Sequence, residues 1–81
     1  MLNVLSYGGV NNLKQYQTLI GYRKMAGLNQ RDMKDILGIS LTVYNAKENG
    51  KVRFNQDDMR IIKNVLSEKL NKKLTIDELF F

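Results

Sequence analysis

The sequence predicts an all-α fold, a compact bundle of five short helices, and three observations carry that prediction. First, one local pattern recurs. An apolar residue precedes a capping residue, and three positions on stands an acid followed by another apolar side chain. It occurs as Leu28-Asn29 with Asp32-Met33, as Phe54-Asn55 with Asp58-Met59, and as Leu74-Thr75 with Glu78-Leu79. Each reads as a helix start, with a capping box and a hydrophobic staple. Second, apolar residues after these starts recur three and four apart, the period of a helix with one buried face. Third, Gly27, Gly38 and Gly50 stand where the stripes stop, and no pair of alternating runs offers a sheet.

Taken in order, residues 1–10 stand apart. Leu2, Val4 and Tyr7 nearly alternate before Gly8-Gly9, which reads as a weakly ordered leader or arm ahead of a domain spanning 11–81. An apolar arm pairing across a dimer is the sharper alternative. The first helix is expected over residues 12–26, on the stripe Leu13, Tyr16, Leu19, Ile20 and Arg23, with Gly27 as its stop. Asn29 caps a second helix over 30–37, with Met33, Ile36 and Leu37 inward. Gly38 turns the chain, Ile39 is buried between helices, and Ser40 caps a third helix over 41–49 that Gly50 ends.

Lys51-Val52-Arg53-Phe54 then forms a basic loop. Asn55 starts a fourth helix whose buried face is Met59, Ile62, Val65, Leu66 and Leu70. Asn71-Lys72-Lys73 turns, and Thr75 caps a last short helix ending in Phe80-Phe81. The expected core is Leu19, Tyr22, Leu28, Met33, Ile36, Leu37, Ile39, Tyr44, Phe54, Met59, Ile62, Leu66 and Leu79. Phe80 and Phe81 exceed what so small a core needs, and are expected either to supply a homodimer interface or to form a final packed turn.

Composition narrows the function. The 81 residues make one small domain. A net charge of +5 suits a polyanionic partner, and simple solubility explains it equally. There is no cysteine and no histidine, which removes disulfides, thiolate metal sites and the commonest general base. A domain this size has little room for a pocket of several hundred cubic ångströms, so neither catalysis nor a cofactor or metal is expected. No apolar run approaches the roughly 20 residues of a membrane span. The start lacks a basic segment ahead of an apolar run long enough for a signal peptide, so the expected location is cytoplasmic.

Residues 27–50 therefore read as two short helices set by a tight turn, the layout of a helix-turn-helix. One helix braces on the DNA backbone while the other enters the major groove. At about 100° per residue, Tyr44 and Glu48 share one side of the third helix, flanked by Ser40 and Lys47. Thr42, Asn45, Ala46 and Asn49 lie opposite. Asn45 suits a bidentate contact to adenine, and Thr42 and Leu41 suit thymine methyls. Ala46 lets the helix sit close to the groove floor. The plain alternative is a solvated face. Lys51, Arg53 and the Asn49-Gly50 amide region read as phosphate contacts, against a merely solvated basic loop. Gln30 opens the second helix, where an anion is favoured.

These residues together resemble the XRE/Cro-type helix-turn-helix family, that of the lambdoid phage repressors and Cro proteins. The resemblance spans residues 13–80. It rests on Arg23, Gly27-Leu28-Asn29-Gln30, Leu37-Gly38-Ile39-Ser40, Glu48-Asn49-Gly50 and the Thr75-Ile76-Asp77-Glu78-Leu79-Phe80 ending. It implies a lambda-repressor-like five-helix domain that binds double-stranded operator DNA as a homodimer through its C-terminal region. It implies a transcriptional regulator from a phage or mobile element, working in a bacterial host cell.

The resemblance places Ser40, Leu41, Thr42, Asn45 and Ala46 at base-contacting positions and Gln30 at a phosphate; for Asn29 the cap role suffices, and a phosphate contact would be an addition. It makes Arg23 and Glu48 a structural pair joining the first helix to the third. The chain departs from the family at two points. The recognition helix lacks the Arg or Gln that makes the strongest purine contacts, so readout leans on thymine methyls and DNA shape. Lys47 stands where the family has an apolar residue. Its stem is expected to cover the core while its amine reaches a phosphate. The competing reading is a protein-binding helix-turn-helix module, an antirepressor or antitoxin-like protein that meets a partner repressor.

Overall fold

A computed structural model describes residues 16–81. The leader at 1–10, the expected helical residues 12–15 and Leu13 lie outside the described residues. Within them the chain forms five helices and no strand: α1 Gln17–Met25, α2 Gln30–Leu37, α3 Leu41–Glu48, α4 Gln56–Leu70 and α5 Ile76–Phe80.

Helices of five to nine residues do not persist alone in water, so their ends and their packing must hold them. The side chains of Asn29, Ser40, Asn55 and Thr75 accept hydrogen bonds from the backbone N–H groups of Asp32, Val43, Asp58 and Glu78. Three of these are full capping boxes, in which Asp32, Asp58 and Glu78 accept in return from the cap's own N–H. The C-terminal ends of α1 to α4 close in one way. At Gly27, Gly38, Gly50 and Asn71 the chain turns left-handed, and the next residue's N–H reaches back to a carbonyl five positions earlier. This satisfies carbonyls the helix itself leaves open. Gly38 has φ +70° and a Cβ built on it would meet nothing within 4 Å. Conformation, not space, therefore requires glycine there.

α2 and α3 pack on each other across Gly38-Ile39-Ser40, α5 packs on α1 and α4, and α2 also meets α4. The centre is Leu19, Met33, Tyr44, Ile62, Leu66 and Leu79, all under 2 % exposed. Phe54, in the α3–α4 loop, joins this core to an aromatic cluster. Its ring lies 5.2 Å from Tyr16, 5.1 Å from Phe80 and 6.1 Å from Tyr44, all edge-on. Tyr22, Leu28, Ile36, Leu37, Ile39 and Met59 are half-buried around it.

Of the two readings of the C-terminal aromatics, the packed turn holds for Phe80. Phe80 is a core residue, 3 % exposed, rather than surplus aromatic surface. It fills the gap between α1 and the Phe54 loop. Phe81 is 87 % exposed. Tyr16 and Leu74 are buried too, beyond the core expected from the sequence. Among the described residues no helix is long and apolar enough to cross a membrane.

Candidate functional site

α3 is held by its inward face. Tyr44, Lys47 and Glu48 are all buried, and two of the three carry charge. A buried charge is tolerable only when paired and hydrogen-bonded, and both are. The Glu48 carboxylate accepts four hydrogen bonds. Arg23 donates from Nε at 2.9 Å and from Nη2 at 3.1 Å, the Tyr44 hydroxyl at 2.7 Å, and Gln30 Nε2 at 2.9 Å. Arg23 Nη1 donates to the Leu28 carbonyl at 3.0 Å. One guanidinium thus ties α1, the α1–α2 link and α3 together, as the resemblance implied for Arg23 and Glu48.

The second pair is Lys47 with Asp58. The ammonium donates to Asp58 Oδ2 at 2.6 Å and to the Arg53 carbonyl at 3.1 Å. It also sits 5.9 Å from the Phe54 ring centre. Asp58 simultaneously closes the α4 capping box. The expectation that Lys47 reaches a phosphate is therefore corrected: its amine turns inward and joins α3 to α4. The register of Lys47 beside Tyr44 and Glu48 was the available signal, since a cation there needs an acid from elsewhere.

Burial pushes the Tyr44 hydroxyl's pKa up, and the bond to Glu48 and its negative charge push the same way, while Arg23 pulls it down. The native state therefore keeps a proton that the unfolded chain releases near pH ~10. The stabilisation is complete below that pH and declines as pH rises above it. Tyr44→Phe is expected to cost about 1.5–3 kcal/mol near neutrality, the worth of a hydrogen bond to a charged group. The gap between variant and wild type should then shrink on going from about pH 8 to about pH 11, as the tyrosine's linkage is lost. Urea midpoints at the two pH values check both parts.

The outward face of α3 is Thr42, Val43, Asn45 and the following Asn49, all exposed, with Leu41 and Ala46 half-buried. The structure thus brings together the expected set Leu41, Thr42, Asn45 and Ala46. The Ser40 oxygen is occupied as the α3 cap. Lys51 and Arg53 are exposed beyond the helix's end. Among the described residues, no ion pair involves either of them or Arg31.

Two residues expected at a phosphate also have partners within the protein. The Asn29 side-chain oxygen accepts from the Asp32 N–H in the α2 capping box, as its cap role predicts. The Gln30 side chain lies between Glu48 and Asn45, receiving Asn45 Nδ2 on its oxygen at 2.9 Å. An anion at the α2 start would still find the backbone N–H groups, one remaining N–H of Gln30 and the exposed Arg31. Asn49 Nδ2 in turn donates to Asn45 Oδ1 at 2.9 Å. The Asn45–Asn49 link has the four-residue spacing of helix neighbours, but nothing local announces the Gln30–Asn45 link across 15 positions. Compared with models of protein families, with curated proteins and with solved structures, the chain finds no match.

Proposed function

We propose that this chain is a sequence-specific DNA-binding transcriptional regulator of the Cro/repressor kind. In this reading α2, the Gly38 turn and α3 form its helix-turn-helix, and α3 enters the major groove. One observation carries the reading. α3 is anchored inward by two buried ion pairs while its outward face offers short polar side chains with exposed cations beyond its end. Groove reading needs such a helix, rigidly mounted and slim enough to approach base edges. Thr42 and Asn45 are the base readers in this account, with Leu41 and Ala46 lining the approach. Lys51, Arg53 and the backbone at the start of α2 hold phosphates. The active species is a homodimer, for which the exposed Phe81 at the C-terminal end is available.

A second reading is favoured by the 39 % exposure of Val43, which suits a partner protein better than a phosphate-lined groove. Selection from a random duplex library, followed by fluorescence anisotropy at two salt concentrations, separates the two. The DNA reading expects selected duplexes to bind at least ~10³-fold tighter than scrambled ones. The selected site should be an inverted repeat with half-sites about one helical turn apart. The log–log salt slope should be several units, and Lys51→Ala should reduce it by about one while weakening all duplexes alike. Equal, weak binding to every duplex would overturn this reading in favour of the protein partner.

A further inference from the structure

Gln30, Asn45 and Asn49 form a hydrogen-bonded line whose direction is set from inside the protein. An amide's two ends have nearly the same shape, so a line of amides alone could run either way. Here it begins on Glu48, and a carboxylate only accepts. Gln30 must therefore present Nε2 to Glu48, as it does at 2.9 Å. Its oxygen then faces Asn45, which must answer with Nδ2, at 2.9 Å. That turns Asn45 Oδ1 toward Asn49, which must answer with its own Nδ2, again at 2.9 Å. Each step removes the choice at the next. The origin cannot reverse, because Arg23 and Tyr44 hold the same carboxylate with donors of their own.

The Asn45 amide is thus gripped at its nitrogen end by Gln30 and at its oxygen end by Asn49. By the amide's inventory, one N–H and one oxygen lone pair remain. Adenine presents the matching set in the major groove, an N7 acceptor beside an N6 donor, whereas guanine presents two acceptors. Reading guanine would require Asn45 to turn and lose both neighbours.

We propose that Gln30 is a specificity-determining positioning residue, which fixes Asn45 as a reader of adenine against guanine without touching a base itself. This rests on α3 being the recognition helix. By the same inventory Gln30 Nε2 keeps one N–H, so a phosphate contact by Gln30 is the competing role, and the salt slope below tests it.

The test uses the full chain, ¹⁵N-labelled, as wild type, Gln30→Ala and Gln30→Met, the last keeping the side chain's length. Side-chain amide resonances are followed without DNA, and each variant is passed through the same random duplex library. Both variants are expected to shift the Asn45 and Asn49 amide protons while the backbone spectrum stays that of the folded domain. Both should lower the adenine-to-guanine preference at one position per half-site by about tenfold, within the discrimination of one bidentate contact. Their salt slopes should match wild type.

Two results would overturn the proposal. One is Asn45 amide protons that do not move in either variant. The other is an unchanged base preference with a salt slope smaller by about one, which marks Gln30 as a phosphate contact. Should the wild type select no sequence, the DNA-binding reading fails and the adenine role with it. The amide spectra would still decide whether Gln30 orients Asn45.

Discussion

Arg23→Ala is expected to cost the domain about 3–5 kcal/mol of unfolding free energy, the penalty for removing one partner of a buried ion pair. The side chains of Arg23 and Glu48 are 8 % and 3 % exposed. Truncation leaves the Glu48 carboxylate buried with only Tyr44 and Gln30 as donors, and leaves the Leu28 carbonyl without the guanidinium. Small domains have a total margin of about 5–15 kcal/mol, so much of the variant population is unfolded under mild stress. The urea midpoint should fall with the slope unchanged.

The surface pairs give the contrast. Lys34–Asp35 and Arg60–Asp57 have side chains 32–79 % exposed, and removing either should change stability by no more than about 1 kcal/mol. Replacing Arg23 and Glu48 together by Met and Leu recovers only part of the loss. An apolar pair would remove the stranded charge, but the Tyr44 hydroxyl and Gln30 amide would then lose their acceptor. Adding Tyr44→Phe to the double variant should recover more. On the DNA-binding reading proposed above, a loss of binding in Arg23→Ala reports the fold, and circular dichroism on the same sample separates it from a lost contact.

Four of the five helix starts were legible in the sequence because capping is local chemistry; α1 starts at Gln17 behind Tyr16, which makes no side-chain cap bond. Asn29, Ser40, Asn55 and Thr75 each cap the helix they were read to begin, and α2 occupies the expected residues. α3 ends one residue earlier than expected, at Glu48, because Asn49 already sits at φ −84°, ψ 0° on the way into the Gly50 turn. The Arg23–Glu48 pair followed from family likeness, not from spacing: the partners stand 25 positions apart.

What the sequence did not disclose depends on distance through space. The place of Phe80 depends on a gap bounded by Tyr16 and Phe54, and no stripe on a five-residue helix reveals that. Lys47 is a cation on an inward register, and its acid comes from the next helix's capping box, 11 positions on. The orientation of Gln30 follows from a carboxylate on another helix. In each case the local pattern placed the residue's helix correctly but not the partner its polar end would find.

Lys47→Met is the sharpest check on that point, because it separates a buried tie from a DNA contact. Met keeps the apolar stem against the core and deletes only the ammonium. Asp58, 10 % exposed as a side chain, then keeps its charge with little beyond the Asn55 N–H at 3.2 Å to balance it. The expected loss is again about 3–5 kcal/mol. Asp58→Asn in the same chain should restore most of it. The amide oxygen can still accept from Asn55 and close the capping box, while the stranded charge is gone. The coupling between the two changes, read from a double-mutant cycle in urea, should therefore be large and favourable. On the proposed DNA-binding reading, its salt slope on selected DNA, at temperatures where the variant remains folded, should equal wild type's, whereas Lys51→Ala should lower that slope by about one. Near-normal stability in Lys47→Met combined with a shallower slope would mean that the amine leaves Asp58 for a phosphate on binding, and that α3 is not held to α4 in the complex by this pair.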